Sequence, residues 1–171
     1  MLIYHPAQDV NHAVYRLLLI LNRAEQKELQ VDLFRLIDFY TLFPHLLKKI
    51  SPMPLAISRH KKIFSDITEP FESLKNIKRI FNELELLQSV AIQNLTAKGI
   101  LDKGKFDEGI LRLNQKALPD NLVSALQNAG LLNDEWFGVI VDGFPKINFK
   151  GRNGLKARTG LMEYRYDMEE S

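Results

Sequence analysis

The sequence contains no cysteine among its 171 residues. It therefore cannot form a disulfide, a thiolate zinc site or a thiol nucleophile, and a reducing compartment is the simpler expectation. The most apolar run near the N-terminus, residues 17–21, is far shorter than the roughly 20 residues that a bilayer span needs. No small-residue cleavage site follows it. We expect a cytoplasmic protein that does not contact a membrane.

The sequence also lacks an arrangement of residues that is typical of catalysis or of metal binding. Its four histidines are His5, His12, His45 and His60. None belongs to an HExxH motif, and no two of them lie four residues apart on a helix. Residues 99–105 have the spacing of a phosphate-binding P-loop, but Phe106 occupies the position of the Ser or Thr that would hold magnesium. The sequence therefore predicts no enzyme activity, no metal site and no cofactor.

Positive and negative charges nearly balance, with 23 Lys and Arg residues against 21 Asp and Glu residues. Two stretches nevertheless contain several cations and no acid. The first lies between Asp38 and Asp66 and contains Lys48, Lys49, Arg59, Lys61 and Lys62. The second lies between Asp142 and Glu163 and contains Lys146, Lys150, Arg152, Lys156 and Arg158. The end of the chain is acidic, with Asp167, Glu169 and Glu170. This segregation predicts two basic surfaces, although ordinary solvated faces show it too.

Apolar periodicity and capping residues predict helices in the N-terminal part. The first helix is capped by Asp9 or Asn11 and ends near Asn22 or Arg23. A second helix ends at Phe43, because Pro44 disfavours the helical conformation in the residue before it. Pro44 can then open a short helix of its own.

A long helical pattern begins at Ile77 and ends at Gly99, either continuous or broken near residues 86–89. After Gly99 the sequence predicts two short strands around a hairpin turn at Lys103 and Gly104. Two further helices are expected, one from Pro119 or Asp120 to Gly130 and one capped by Asn133 or Asp134. Residues 145–161 give no dependable secondary structure.

The predicted fold is mainly α with short β-hairpins and is winged-helix-like, since a helix that ends at a glycine precedes a hairpin. The chain is either a single compact unit over 1–171 or two tandem winged-helix lobes. In the second case the boundaries are an N-terminal helical lobe at 1–50, a proline-containing connector at 51–70, a winged-helix-like lobe at 71–144 and a basic segment at 145–171.

In a winged helix that reads DNA, polar side chains of the second helix contact base edges. The candidate readout residues are Gln93, Asn94, Lys98, Lys103 and Lys105. Against this, the helix has Glu83 and Glu85 nearby, and the expected wing carries as many acids as lysines, whereas phosphate contacts demand a positive excess. A structural or protein-binding role for the unit is therefore favoured.

Two groups of residues are candidates for binding a partner. The aromatic group is Phe34, Phe39, Tyr40 and Phe43, which spread around their helix. Either this helix is central to the core, or some rings are exposed as anchors for a partner. The basic group is Lys146, Lys150, Arg152, Lys156 and Arg158. A flexible glycine-containing loop with these charges can wrap an acidic protein or follow a DNA backbone, or it can simply be solvated.

Four stretches of the chain resemble a known family: YHPAQDVNHAVYRLLLILN (4–22), LFRLIDFYTLFPHLL (33–47), AIQNLTAKGIL (91–101) and FKGRNGLKARTGLMEYRY (149–166). In this order they are similar to the middle components of three-component ABC-ATPase conflict systems, which include the small third subunit of Lamassu-type anti-phage complexes. The resemblance covers nearly the whole chain, but none of the stretches is a catalytic fingerprint.

The resemblance implies a non-catalytic adaptor in a bacterial anti-phage or anti-plasmid complex. The implied partners are an SMC-like or Rad50-like ATPase and an effector subunit, often a nuclease, which the adaptor restrains until DNA is sensed. Non-specific DNA contact by the adaptor itself is also compatible with this role. The alternative is a free-standing winged-helix transcription regulator, and a small hydrolase or nuclease is the least favoured hypothesis.

Overall fold

The computed structural model describes residues 9–167. Residues 1–8, with His5, and residues 168–171, with Glu169 and Glu170, lie outside the described residues. The α-helices are α1 Val10–Arg23, α2 Val31–Leu42, α3 Leu55–Ser58, α4 Lys61–Ser65, α5 Ile77–Ala97, α6 Lys103–Asp107, α7 Asp120–Gln127, α8 Glu135–Gly143 and α9 Leu155–Thr159. The strands are β1 Glu28–Gln30 and β2 Ile110–Arg112, and short 3₁₀ turns lie at Glu25–Lys27, Pro44–Lys49, Gln115–Ala117, Gly130–Asn133 and Phe144–Lys146. The structure confirms the predicted fold class, which is mainly α with little β structure.

Helix α1 is the central element of the fold. It begins where predicted, because the Asp9 carboxylate accepts a hydrogen bond from the Asn11 N–H at 2.7 Å. It ends at Arg23, as predicted. All residues from 16 to 21 are buried, so this part of the helix is covered on every side rather than along one stripe. Its neighbours are α2, α5, α7 and α8.

Helix α2 ends at Leu42, with Phe43 as its C-cap, and the next six residues form a 3₁₀ turn that begins at Pro44. The predicted helix end and the predicted new start at Pro44 are both confirmed. The local cause is the proline ring, which excludes the α conformation at Phe43 and fits the first position of the new turn.

Helix α5 is continuous through residues 86–89, so the break considered there does not occur. Its end at Gly99 is confirmed. Gly99 has φ +71°, its N–H donates to Thr96 O at 3.0 Å, and the Ile100 N–H donates to Leu95 O at 2.9 Å. These two bonds form a Schellman motif, which needs a residue with positive φ at the glycine position.

The predicted hairpin turn at Lys103 and Gly104 is wrong. Residues 103–107 form α6 instead, because the Asp102 side chain accepts a hydrogen bond from the Lys105 N–H at 3.0 Å and caps the helical turn. Leu101 and Leu113, on either side of this turn, form only an isolated antiparallel bridge. The main partner of β2 is β1, from the N-terminal part of the chain, with Leu29 opposite Leu111.

The C-terminal helices follow the expected order with shifted ends. Helix α7 begins at Asp120 but ends at Gln127, before the predicted terminator Gly130, which starts a 3₁₀ turn. Helix α8 follows Asp134 as predicted. Residues 155–159, which lie in the stretch without a predicted secondary structure, form the short helix α9.

One buried apolar cluster joins the described elements, and it includes residues from both predicted lobes. Helices α1 and α5 pack together, and β1 pairs with β2, so the N-terminal part and residues 77–113 share this core. Within residues 9–167, no helix is both long enough and apolar enough to cross a membrane.

Candidate interaction surfaces

The four aromatic candidates lie inside the core. Phe34, Phe39, Tyr40 and Phe43 have between 0 and 5% of their surface exposed. The Phe39 ring centroid is 5.3 Å from that of Tyr40, 5.2 Å from Phe43 and 5.5 Å from Phe81 of α5. The structure therefore supports the alternative in which this helix is central to the core. The expectation that some of these rings are exposed as partner anchors is wrong, because rings spread around a helix that is covered on all sides have no free face.

A buried polar cluster joins α1, α2 and α5. The guanidinium of Arg16 donates to the two carboxylate oxygens of Asp38 at 2.6 and 3.2 Å. Gln88 of α5 donates to the same carboxylate at 2.9 Å. All three residues are at most 7% exposed, and Arg16 Nη1 has no hydrogen-bond partner. This cluster is not among the predicted sites, although a lone arginine beside the apolar run 17–21 is a signal for a buried ion pair.

Arg35 of α2 lies next to this cluster. Its Nη2 lies 3.0 Å from a carboxylate oxygen of Glu85, and its guanidinium carbon lies 5.3 Å from the Phe81 ring centroid. These contacts tie α2 to α5 a second time. The relative position of the three long helices is therefore fixed by directional polar bonds as well as by apolar packing.

The basic segment is folded, and the expectation of a flexible loop is wrong. The Leu155 N–H donates to Asn148 O at 2.9 Å, and the Lys156 N–H donates to Phe149 O at 3.1 Å, which closes residues 148–156 into a compact loop. Gly154 is required by this closure, because a Cβ there would lie 2.2 Å from the Lys150 carbonyl oxygen.

Two of the five cations in this segment hold the loop in place. Lys156 pairs with Asp167 at 3.1 Å, with both side chains largely buried. Burial works against the charged form of Asp167, but the hydrogen bonds from Lys156 and from the Gly151 N–H outweigh it and lower the pKa of this carboxyl. Arg158 donates to Asn153 O at 2.5 Å and to Pro52 O at 2.6 Å. Lys156 and Arg158 are therefore structural residues in this chain.

The other three cations of the segment, Lys146, Lys150 and Arg152, are exposed. The structure also brings the first acid-free stretch to this segment, since the Ser51 N–H donates to Arg158 O at 3.1 Å. Arg59, which is exposed, lines the same cavity as Lys146, with a volume of about 580 Å³. We call Arg59, Lys146, Lys150 and Arg152 the basic surface.

Acids line the cavity that contains Arg59 and Lys146. Asp134, Glu135 and Asp142 line it as well. Asp142 accepts a hydrogen bond from Arg23 at 2.7 Å, and this bond raises the pKa of the Arg23 guanidinium. The cavity thus combines exposed cations with acids, which suits recognition of a shaped protein surface that carries both signs of charge.

The predicted DNA-readout residues lie at the C-terminal end of α5 and on α6. Gln93, Asn94, Lys98 and Lys103 are exposed. Lys105 is half-buried, and its ammonium lies 3.2 Å from a carboxylate oxygen of Glu108. The structure brings the five residues to neighbouring elements, but without the predicted hairpin around Lys103 and Gly104.

The histidines in residues 9–167 are dispersed. His45 is 8% exposed, and burial lowers its pKa. His60 accepts a hydrogen bond from Arg59 Nε at 3.0 Å. No group of three or more His, Asp or Glu side chains in the described part of the chain is placed to hold a metal ion.

Sequence comparison identifies one family. The family described as "ABC-three component (ABC-3C) system Middle Component 5" matches residues 2–167 of the chain. No curated protein and no solved structure matches the chain. The match includes the whole folded core, the buried polar cluster and the basic surface. The chain therefore belongs to the Middle Component 5 family of ABC-three component systems.

Proposed function

We propose that the chain is the non-catalytic adaptor of its ABC-three component system. In this role it binds the ATPase subunit and the effector subunit together and restrains the effector until DNA is sensed. The family match over residues 2–167 carries the proposal, since a middle component is one member of a multi-component system. The implied ATPase is SMC-like or Rad50-like, as in Lamassu-type complexes.

The rigidity of the fold supports this role. An adaptor that couples two partners needs its binding surfaces in fixed relative positions, because a loose connection loses the coupling free energy. Here the Arg16, Asp38 and Gln88 bonds fix three long helices, and Arg158 fixes the basic segment against Pro52.

We infer that the basic surface binds an acidic face of one of these two partners. Two of its cations, Arg59 and Lys146, line the cavity that Asp134, Glu135 and Asp142 also line. A DNA backbone meets only negative charge and is repelled by such a border, whereas a protein can place carboxylates opposite the cations and cations opposite the acids. The alternative ligand of the basic surface is DNA, bound non-specifically, and the test below distinguishes it from a protein.

The test replaces Lys146, Lys150 and Arg152 with glutamate together, in the chain co-expressed with the ATPase and effector encoded beside it. All three side chains are exposed, so folding should be unchanged. We expect one of the two partners to be lost on size exclusion chromatography. The matched control replaces Lys98, Lys103 and Lys116, which are equally exposed and give the same change in charge. Equal loss of the partner in both triple variants would contradict the assignment.

A DNA-binding measurement on the same variants distinguishes a protein ligand from DNA. If the three cations contact phosphates, their removal should flatten the slope of log affinity against log salt by roughly 2.7, at about 0.9 per contact. A flattened slope with both partners retained would assign the surface to DNA instead. If only the control variant changes DNA binding, and the free chain binds a palindromic site as a dimer, the winged-helix regulator becomes the better account.

A further inference from the structure

An apolar groove of about 290 Å³ opens beside the start of α5. Its inner wall includes Phe39, Leu46, Ile77 and Leu161, and two exposed lysines, Lys49 and Lys78, border it. No described segment of the chain fills it. A groove with an apolar interior and a cationic border fits an apolar side chain that is flanked by carboxylates.

The chain itself carries such a side chain. Residues 66–76 connect α4 to α5 without regular structure, and Phe71 in this connector is fully exposed, at 104%. Glu69 and Glu72 flank it, and both are exposed. An exposed aromatic ring gains more from burial in a partner than other side chains do, which makes Phe71 a candidate anchor.

The connector that carries Phe71 meets residues next to or in the groove near both of its ends, and we call the connector and the groove together the docking face. Near one end of the connector, Glu69 Oε1 lies 2.6 Å from Lys48 Nζ. Lys48 directly precedes Lys49 in the sequence, and Lys49 borders the groove. The other end of the connector runs into Ile77 and Lys78, which belong to the groove. A two-fold symmetric interface needs one self-complementary patch, in which each copy offers what the other receives. This face meets that requirement.

We propose that two copies of the chain associate through this face, each placing Phe71 in the groove of the other. Glu72 of one copy then faces Lys78 of the other, and the charges on the two sides of the contact are opposite. Two aromatic anchors and four charged groups make a small interface, so the dimer is weak, with a dissociation constant on the order of 10–100 µM. This association needs no other subunit, and its failure leaves the adaptor role untouched.

The absence of cysteine allows a direct crosslinking test. Protein carrying Phe71→Cys is mixed with differently sized, tagged protein carrying Lys49→Cys, so that only a contact between two copies can form the mixed disulfide. The control mixes Leu86→Cys with Lys49→Cys, because Leu86 is also an exposed apolar residue, at 72%, but lies on α5 outside the groove. We expect the Phe71 pair to crosslink on the order of tenfold faster, since association raises the effective concentration of the two thiols. Equal rates would overturn the proposal.

Analytical ultracentrifugation gives a second, independent test. The wild-type chain should show concentration-dependent dimerisation that Phe71→Ser abolishes, while the thermal midpoint stays unchanged. Glu72→Lys or Lys78→Glu alone should weaken the dimer, and the two together should restore it, because the charges are then exchanged. A wild-type chain that remains monomeric at about 1 mM, or a charge exchange that restores nothing, would show that the groove does not receive Phe71.

Discussion

The buried ion pair gives the sharpest prediction about stability. Replacing Asp38 with alanine leaves the Arg16 guanidinium without a counter-charge, in a place where its side chain is only 9% exposed. Gln88 loses its 2.9 Å acceptor at the same time. Arg16 Nη1 already has no partner, so the surroundings hold no replacement acceptor. Breaking a buried pair on one side costs about 3–5 kcal/mol, a large part of a typical total of about 5–15 kcal/mol.

The double variant Arg16→Met with Asp38→Leu should cost much less than either single variant. It removes both charges and fills the space with apolar atoms, a change that is often neutral or stabilising by about 1–4 kcal/mol. Unfolding in urea, followed by circular dichroism and Trp136 fluorescence, gives the four free energies of a double-mutant cycle, those of the wild type, Arg16→Met, Asp38→Leu and the double variant. If Asp38→Ala does not fold at all, recovery of a folded protein in the double variant still tests the reasoning.

A surface ion pair supplies the matched control. Arg79 and Glu83 lie 2.8 Å apart on α5, with 73% and 60% of their side chains exposed. Such a pair contributes only about 0.3–0.5 kcal/mol, so Glu83→Ala should change the free energy of unfolding by no more than this. The reasoning would be refuted if Asp38→Ala cost as little as Glu83→Ala, or if the effects in the buried cycle were additive.

Two further predictions concern the basic segment and the pH dependence of stability. Gly154→Ala should lower the free energy of unfolding by roughly 2–3 kcal/mol, since its Cβ would lie 2.2 Å from Lys150 O. The control is Gly130→Ala, because no atom lies near a Cβ at that position. Equal urea midpoints for the two variants would contradict the closed loop. Burial lowers the pKa of His45 below its ordinary 6.5, so the unfolded chain takes up a proton near that pH before the folded chain does. Stability should therefore be full above pH 6.5 and should fall below it, by at most about 1.4 kcal/mol per pH unit. His45→Gln should remove this part of the slope in urea titrations between pH 6.5 and about 5, and an unchanged slope would show that His45 titrates alike in both states.

Local signals in the sequence predict three of the helix ends correctly. The Asp9 cap, the Pro44 stop and the Gly99 terminator each act within one turn of the chain, through a single hydrogen bond or a single excluded backbone conformation. Their physical effect does not depend on the rest of the fold, and the structure confirms all three.

These local signals cannot predict which strands pair when the partners lie far apart in the sequence. Leu111 has the same apolar pattern whether β2 pairs with residues 100–102 or with β1, and the partner Leu29 lies 82 positions away in the sequence. The nearest pairing predicts a hairpin turn at Lys103 and Gly104, whereas in the structure Asp102 caps a helical turn there.

The sequence leaves open which of the candidate partner-binding residues are buried and which are exposed. The spread of Phe34, Phe39, Tyr40 and Phe43 around α2 allowed two interpretations, and only the tertiary packing of α1 and α5 decides for burial. Among the cations, the sequence cannot tell Lys150, which is exposed, from Lys156, which is held by Asp167. That difference depends on where the chain returns at residue 167.

The central claim, that this chain holds two other subunits together, is tested most directly by leaving it out. The ATPase and a tagged effector from the same system are co-expressed with and without the chain, and the effector is purified through its tag. The account predicts that the ATPase follows the effector only when this chain is present. An ATPase that is recovered equally well without it, or three proteins that separate completely, would contradict the account.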